Sequence, residues 1–281
     1  MYICENEIKQ LEEKAKELRR NIVTMIYEAQ SGHPGGSLSA ADIVTALYYK
    51  ELRINPANPS WHERDRFILS KGHACPVWYS VLAMKGYFDF DIIHTLRKMG
   101  SILQGHPDMK KVPGIDMTTG SLGQGISVAA GMALGLKKDG LDSRVFVMLG
   151  DGELQEGQVW EAAMFAAKYK LDNLISIVDH NNLQIDGFCS EIMPIEPLDK
   201  KWEAFGWEVF NIDGHNMAEI LRVFEDIKKV KGKPVCIIAK TVKGKGISFM
   251  ENECKWHGTA PDKEQYEKAM SELGGRGMTN G

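Results

Sequence analysis

The chain has 281 residues, 43% hydrophobic and 26% charged, which is the make-up of a folded protein with room for one large core or two modest ones. A formal net charge of -4 without a basic patch argues against non-specific nucleic-acid binding, and no apolar run reaches the roughly eighteen residues that a membrane span needs. The N-terminus opens on charged residues, and the five cysteines (Cys4, Cys75, Cys189, Cys236 and Cys254) show no close pair and no metal-type spacing, so free thiols in a reducing, cytoplasmic setting are expected.

Residues 6–29 predict a long helix, because Ile8, Leu11, Ala15, Leu18, Ile22, Ile26 and Ala29 recur at three and four and form one apolar stripe. Ser31-Gly32-His33-Pro34-Gly35-Gly36 stops it. Ser39 followed by Asp42 is a capping-box pattern, predicting a second helix through Ile43, Leu47 and Leu52. Pro56 and Pro59 mark a loop; residues 66–70 predict a strand whose C-terminal end presents His73, followed by a helix over 77–84. Gln104-Gly105-His106-Pro107 is a second histidine turn, and the glycine-rich run 118–125 leads into an alanine- and glycine-rich helix, 126–136. Strands are expected at 144–149, 174–178, 207–212 and 234–240, and helices at 158–169, 200–205, 217–228 and 262–273. Segment 241–257 reads as irregular, and 274–281 as a flexible tail. Strand and helix alternate without internal repeat or long linker, so the expected class is α/β, one domain over 1–273, with a mostly parallel sheet and helices on both faces.

Two strand ends carry the chemistry. Residues 144–149 deliver Gly150-Asp151-Gly152-Glu153, and residues 174–178 deliver Asn181-Asn182. Asp151, Asn181 and a nearby carbonyl such as that of Leu183 are oxygen donors of the kind Mg²⁺ takes when phosphates complete its shell. Gly150 and Gly152 let backbone approach a diphosphate. Gly-Asp-Gly alone is a common turn; two such signals ending strands of one crossover unit weigh more. A nucleotide fingerprint and a P-loop both lack their spacing here. His33, His73, His106 and His257 all sit in turns beside glycine or proline, a pattern suited to binding hydroxyls or phosphate and moving protons. A zinc cluster is a weaker reading, since close-pair spacing is missing. His62 stays unassigned, and His94, His180 and His215 read as structural or surface groups.

Together these motifs resemble the N-terminal, diphosphate-binding portion of a transketolase. Gly150-Asp151-Gly152 with Asn181-Asn182 is similar to the thiamine diphosphate motif, and the resemblance continues through the His33 loop, Asp65-Arg66-Phe67-Ile68-Leu69-Ser70-Lys71-Gly72-His73-Ala74, Gly105-His106-Pro107, the 118–125 run and Trp256-His257-Gly258. It covers the chain nearly end to end and implies a thiamine diphosphate-binding fold. It further implies that Asp151, Asn181 and the Leu183 carbonyl hold Mg²⁺, with Ca²⁺ as an alternative ion. His73, His257, Gly150 and Gly152 would contact the diphosphate, and Gly120 and Leu122 the aminopyrimidine. His33 and His106, with His73 and His257, would act on the reacting substrate, and Glu156 would sit at a subunit interface that links paired sites. The implied reaction is transfer of a two-carbon ketol unit from a ketose phosphate to an aldose phosphate, as in pentose phosphate metabolism.

A full-length transketolase continues into a pyrimidine-binding domain and a third domain. The glutamate that activates the cofactor and the main sugar-phosphate arginines belong to those parts, and neither Glu153 nor Glu156 is a substitute. The expectation is therefore one subunit of a split transketolase, active with a second polypeptide in an α₂β₂ assembly, with the partner covering helix 126–136 and part of 241–257. The alternatives are a subunit of a deoxyxylulose phosphate synthase-like or two-oxoacid dehydrogenase-like enzyme, or a non-catalytic cofactor-binding module.

Overall fold

The computed structural model describes residues 4–275; residues 276–281 of the expected tail lie outside the described residues. Five strands, β1 (Arg66–Leu69), β2 (Val145–Gly150), β3 (Leu174–His180), β4 (Glu208–Asp213) and β5 (Val235–Lys240), form a sheet in the order β1-β2-β3-β5-β4. Every neighbouring pair runs parallel.

β1, β2, β3 and β5 are apolar on both faces because both are covered, while β4, at the sheet edge, is only partly buried. Phe67, Leu69, Phe146, Met148, Ile175 and Ile177 face one core, while Ile68, Val145, Val147, Leu149, Leu174 and Val178 face the other. The alternation is the period of two of a strand, read here as a continuous hydrophobic run because neither face meets water. The first core lies under α1 (Glu5–Ala29), α3 (Ala41–Ala46), α4 (Cys75–Met84), α9 (Met217–Ile227) and α10 (Lys263–Glu272). The second lies under α5 (Gln124–Lys138), α6 (Gly157–Lys168) and α8 (Leu198–Ala204). In α1, Leu11, Ala15, Leu18, Ile22 and Ile26 are the buried stripe that the spacing predicts.

The capping box at Ser39 does not form. Residues Pro34–Ser39 are themselves helical, α2, with Pro34 at its first turn, and Ala40 already has helical φ and ψ. No frayed N-terminus exists there to cap, and the Ser39 hydroxyl donates instead to Asp179 at 2.6 Å. Asp42 is likewise taken by tertiary partners. It accepts from Arg19 at 2.9 and 2.6 Å and from His215 Nδ1 at 2.7 Å, while His215 Nε2 accepts the Val242 N–H at 2.8 Å. Burial pushes the Asp42 carboxyl up, but Arg19 and His215 outweigh it and hold it down at about 2. The cluster pins the exit of β5 to α1 and α3. A capping box does form at Asp262 and Gln265, opening α10.

All five cysteines are free thiols. Among the described residues no helix is long and apolar enough to cross a membrane. Segment 241–257 folds back on the chain, with Gly244 donating to Gly35 and Asn252 to Lys243. Its large apolar side chains Ile247, Met250 and Trp256 are buried. The exposed large apolar side chains include Met164, Phe165 and Tyr169 of and after α6, and Ile185, Phe188, Ile192 and Met193, the last four in and around α7 (Cys189–Ile192).

Candidate active site

The C-terminal ends of β1, β2, β3 and β5 converge on a cavity of about 540 Å³. In a parallel sheet this is the edge where loops gather and ligands bind. Into it lead Lys71 and His73 after β1, Gly150 and Asp151 at the end of β2, Asn181 and Leu183 after β3, and Lys243 after β5. The His33, 120–122 and His257 loops complete the wall, with Gly152 and Glu156 also lining it.

The oxygen donors are held by their own turns. Asp151 accepts from the Gly152 N–H at 2.8 Å and from the Asn182 N–H. Asn182 has φ 59°, the left-handed conformation that asparagine tolerates better than most residues. That turn brings Asn181 beside Leu183, whose N–H donates to Asn181 Oδ1 at 3.1 Å. Asn181 Nδ2 donates to Asp179 at 3.3 Å, which leaves Oδ1 as the acceptor side of the amide. Burial, then the charge of Asp179, pushes the Asp151 carboxyl up to about 6.

A buried cation set faces this carboxylate. The Lys71 ammonium pairs with Asp179 and donates to the Gly36 carbonyl at 2.7 Å. Asp179, fully buried, also accepts from Ser39 and Thr241. Its carboxyl is lowered because Lys71 and the hydroxyls overcome the cost of burial. Lys243 donates to the Leu183 carbonyl and to His257 Nδ1, each at 3.0 Å, and burial lowers its pKa. Gly35 makes room for it: a Cβ there would lie 2.9 Å from both Lys243 Cγ and the Trp256 carbonyl oxygen.

His33, His73 and His257 form a triangle with ring centroids 5.2, 5.4 and 5.2 Å apart. Burial, reinforced by neighbouring cations, lowers His33 and His257 to about 4 and His73 well below the ordinary imidazole value. Near neutral pH these rings each carry one donor and one acceptor nitrogen. His106 stands at the rim, exposed, with its ring 3.2 Å from where a Cβ on Gly120 would sit. Glu156 is exposed at the start of α6. Glu153 is a brace rather than an acid: it accepts from Ser70, from the Gly123 N–H at 2.7 Å and from the Gly150 N–H at 3.0 Å.

The structure thus brings His33, His73, His257, Gly120, Leu122, Gly150, Asp151, Gly152, Glu156, Asn181 and Leu183 to one cavity, with His106 at its edge. Sequence reading missed Lys71, Asp179 and Lys243. One signal was available: Asp179 is a charge directly continuing the apolar run that ends at Val178. The donor set suits a hard divalent cation carrying a diphosphate, with one carboxylate, one amide oxygen and one carbonyl beside two ammonium groups and donor imidazoles. Among the described residues no group of three or more His, Cys, Asp or Glu could hold a metal, which leaves the zinc reading without a site.

Comparison with known proteins identifies the family. The family model "Transketolase, thiamine diphosphate binding domain" matches residues 11–278. The 6-deoxy-6-sulfo-D-fructose transketolase subunit SqwG of Clostridium sp. (strain MSTE9) is 48% identical over 94% of this chain and 96% of its own length. An apulose-4-phosphate transketolase subunit of Phocaeicola vulgatus is 44% identical, covering 96% of each. The crystal structure of Campylobacter jejuni transketolase superposes with a TM-score of 0.90 at 36% identity, covering 100% of this chain and 44% of that one. The chain spans less than half the length of the solved transketolases it matches. It belongs to the transketolase family, of which it carries the thiamine diphosphate-binding domain.

Proposed function

We propose that this chain is the diphosphate-binding subunit of a two-component transketolase, transferring a two-carbon ketol unit from a ketose phosphate to an aldose phosphate together with a pyrimidine-binding partner in an α₂β₂ assembly. The observation that carries the reading is the meeting of Asp151, Asn181 and Leu183 oxygens with Lys243 and the neutral His33–His73–His257 triangle in one cavity. Near end-to-end similarity to relatives that are themselves named subunits supports the division between two chains.

In this reading Asp151, Asn181 Oδ1 and the Leu183 carbonyl hold Mg²⁺, with Ca²⁺ as a substitute. Gly150, Gly152, His73, His257 and Lys243 receive the diphosphate, and Gly120 and Leu122 flank the aminopyrimidine. When bound, thiamine diphosphate supplies a thiazolium that stabilises the carbanion of carbon–carbon cleavage. The chain's own part is placement and proton transfer. Uncharged His33 and His257 can each present a ring N–H to the hydroxyls of the sugar as its charge changes, since Arg97 and Lys243 stand at their respective Nδ1 atoms. Lys71 neutralises Asp179 and leaves Asp151 as the carboxylate open to a cation. Glu156, exposed beside the cavity, would in this reading meet the neighbouring subunit.

The deciding experiment is co-expression with the native partner, followed by ketol transfer with thiamine diphosphate and Mg²⁺. A ketose phosphate is the expected donor. A second donor, 6-deoxy-6-sulfo-fructose, is included because the 48%-identical relative is named for it. Transfer by the complex and none by the chain alone is expected. Full activity of the chain alone, or none from the complex with either donor, would overturn the proposal.

A further inference from the structure

One side chain behind His33, outside the cavity wall itself, is assigned no role of its own in the reading above. Arg97 has φ 59°, a left-handed conformation that L residues rarely adopt and that persists where surroundings impose it. Its N–H donates to the Leu103 carbonyl at 2.8 Å, which closes the turn before the His106 loop. The guanidinium then reaches across to the other histidine loop. Nη1 donates to Ser31 Oγ at 2.8 Å, and Nη2 approaches the Gly105 carbonyl at 3.4 Å and His33 Nδ1 at 3.5 Å. A Cβ on Gly105 would lie 3.2 Å from the guanidinium carbon, so the His106 loop packs directly on this plane. One rigid cation therefore touches the loops of both His33 and His106.

A guanidinium only donates and stays charged at every pH the protein meets. A ring nitrogen facing it must accept. The neutral His33 ring then has its lone pair at Nδ1 and its proton on Nε2, on the edge that faces Gly258 and the cavity. Other charged or titratable groups around His33 act in the same direction or are rings like it: His106, Lys243, His73 and His257. After burial, Arg97 is the next cause that disfavours a proton on both His33 and His106.

We propose that Arg97 is the positioning residue of this histidine pair, fixing His33 in its Nε2–H tautomer and setting the approach of the His33 loop to the His106 loop. The cavity then always meets a hydroxyl with a donor from His33. The catalytic consequence rests on the ketol-transfer reading; the tautomer and the loop geometry do not.

Nitrogen-15 spectra of the histidine-labelled full chain test the proposal directly. Wild type should show His33 as the Nε2–H tautomer with a titration midpoint near 4. Arg97→Gln should mix the tautomers and raise the His33 and His106 midpoints by about one pH unit. Arg97→Lys keeps the charge without the fork, so it should leave the midpoints low and still mix the tautomers. In the complex with the partner chain, Arg97→Gln should lower kcat by about tenfold and move the acidic limb of kcat/KM upward, with the dissociation constant for thiamine diphosphate within about twofold of wild type. A His33 tautomer unchanged in both variants overturns the proposal, as does an unmoved acidic limb. Should Arg97→Gln fail to fold by circular dichroism, the tautomer in Arg97→Lys decides alone. A wild-type complex without ketol transfer would sink the functional reading, and the spectra would still judge Arg97.

Discussion

Asp151 shows how much a single side chain is asked to do. It is buried, its carboxyl is pushed up to about 6, and both its oxygens already accept backbone N–H groups. Asp151→Ala should abolish Mg²⁺-dependent binding of thiamine diphosphate, read by calorimetry on the complex. Activity should fall by at least roughly a hundredfold with an unchanged circular dichroism spectrum; retained activity would remove Asp151 from the metal site. The histidine triangle makes a second residue-level prediction. His33 and His257 have folded values of about 4 against an ordinary 6.5. Between those values the unfolded chain holds more protons, so their contribution is complete above about 6.5 and is lost as pH falls toward 4. With allowance for the solvent that reaches both rings, each is worth on the order of 1 kcal/mol. Urea midpoints of the metal-free chain should therefore drop from pH 7.5 to pH 5, and His33→Asn should flatten the drop. The residues legible from sequence were those whose neighbours in the chain give them away: Asp151 between glycines, the histidines in glycine turns. Lys71 and Lys243 were not, because their meaning lies in partners 108 and 60 positions off, Asp179 and Leu183.

At the scale of elements, hydrophobic period found all five strands and most of the longer helices, because nearly all of them bury a regular face, the edge strand β4 only partly. The short ones escaped it. α2 opens on a proline and two glycines, and it is helical because tertiary contacts hold it, including those of Gly35 with Lys243 and Trp256. The Ser39 capping box misled for the same reason: Asp179, 140 positions on, competes for the hydroxyl. Gly35→Ala tests this contact. Its methyl group would overlap a backbone carbonyl as well as Lys243, so the expected cost is about 2 kcal/mol in urea unfolding. Cofactor affinity should weaken in parallel as Lys243 shifts. An alanine variant as stable as wild type would mean that the two loops pack less tightly than described.

For the whole molecule the question is what covers the surface beside α5 and α6. Gly131 and Gly135 are exposed on α5, with nothing within 4 Å of a Cβ on either, next to the exposed Met164, Phe165 and Tyr169. Alanine at both glycines should stabilise the isolated chain by roughly 0.5–1 kcal/mol each, since helical glycine is entropically costly. If the partner packs on this face, the same two methyl groups should weaken association about tenfold or more, measured by sedimentation of the two chains mixed together. A stabilised chain with unchanged association would place the partner elsewhere. Segment 241–257 offers a partner less apolar surface than this face does, because Ile247, Met250 and Trp256 are all buried.

The strand order also governs when the molecule can finish folding. β4 is made before β5, yet its sheet neighbour is β5, which must insert between β3 and β4. During synthesis β3 therefore waits with an open edge, and β4 waits with no ladder at all. The last wall of the cavity, His257, emerges later still and meets His33 from the far end of the chain. Contacts of such long sequence separation fold slowly and leave strand edges available to other chains meanwhile. The pocket thus cannot exist until everything from His33 to His257 has been made, so the site is selected, loaded or inhibited only after β5 has been inserted.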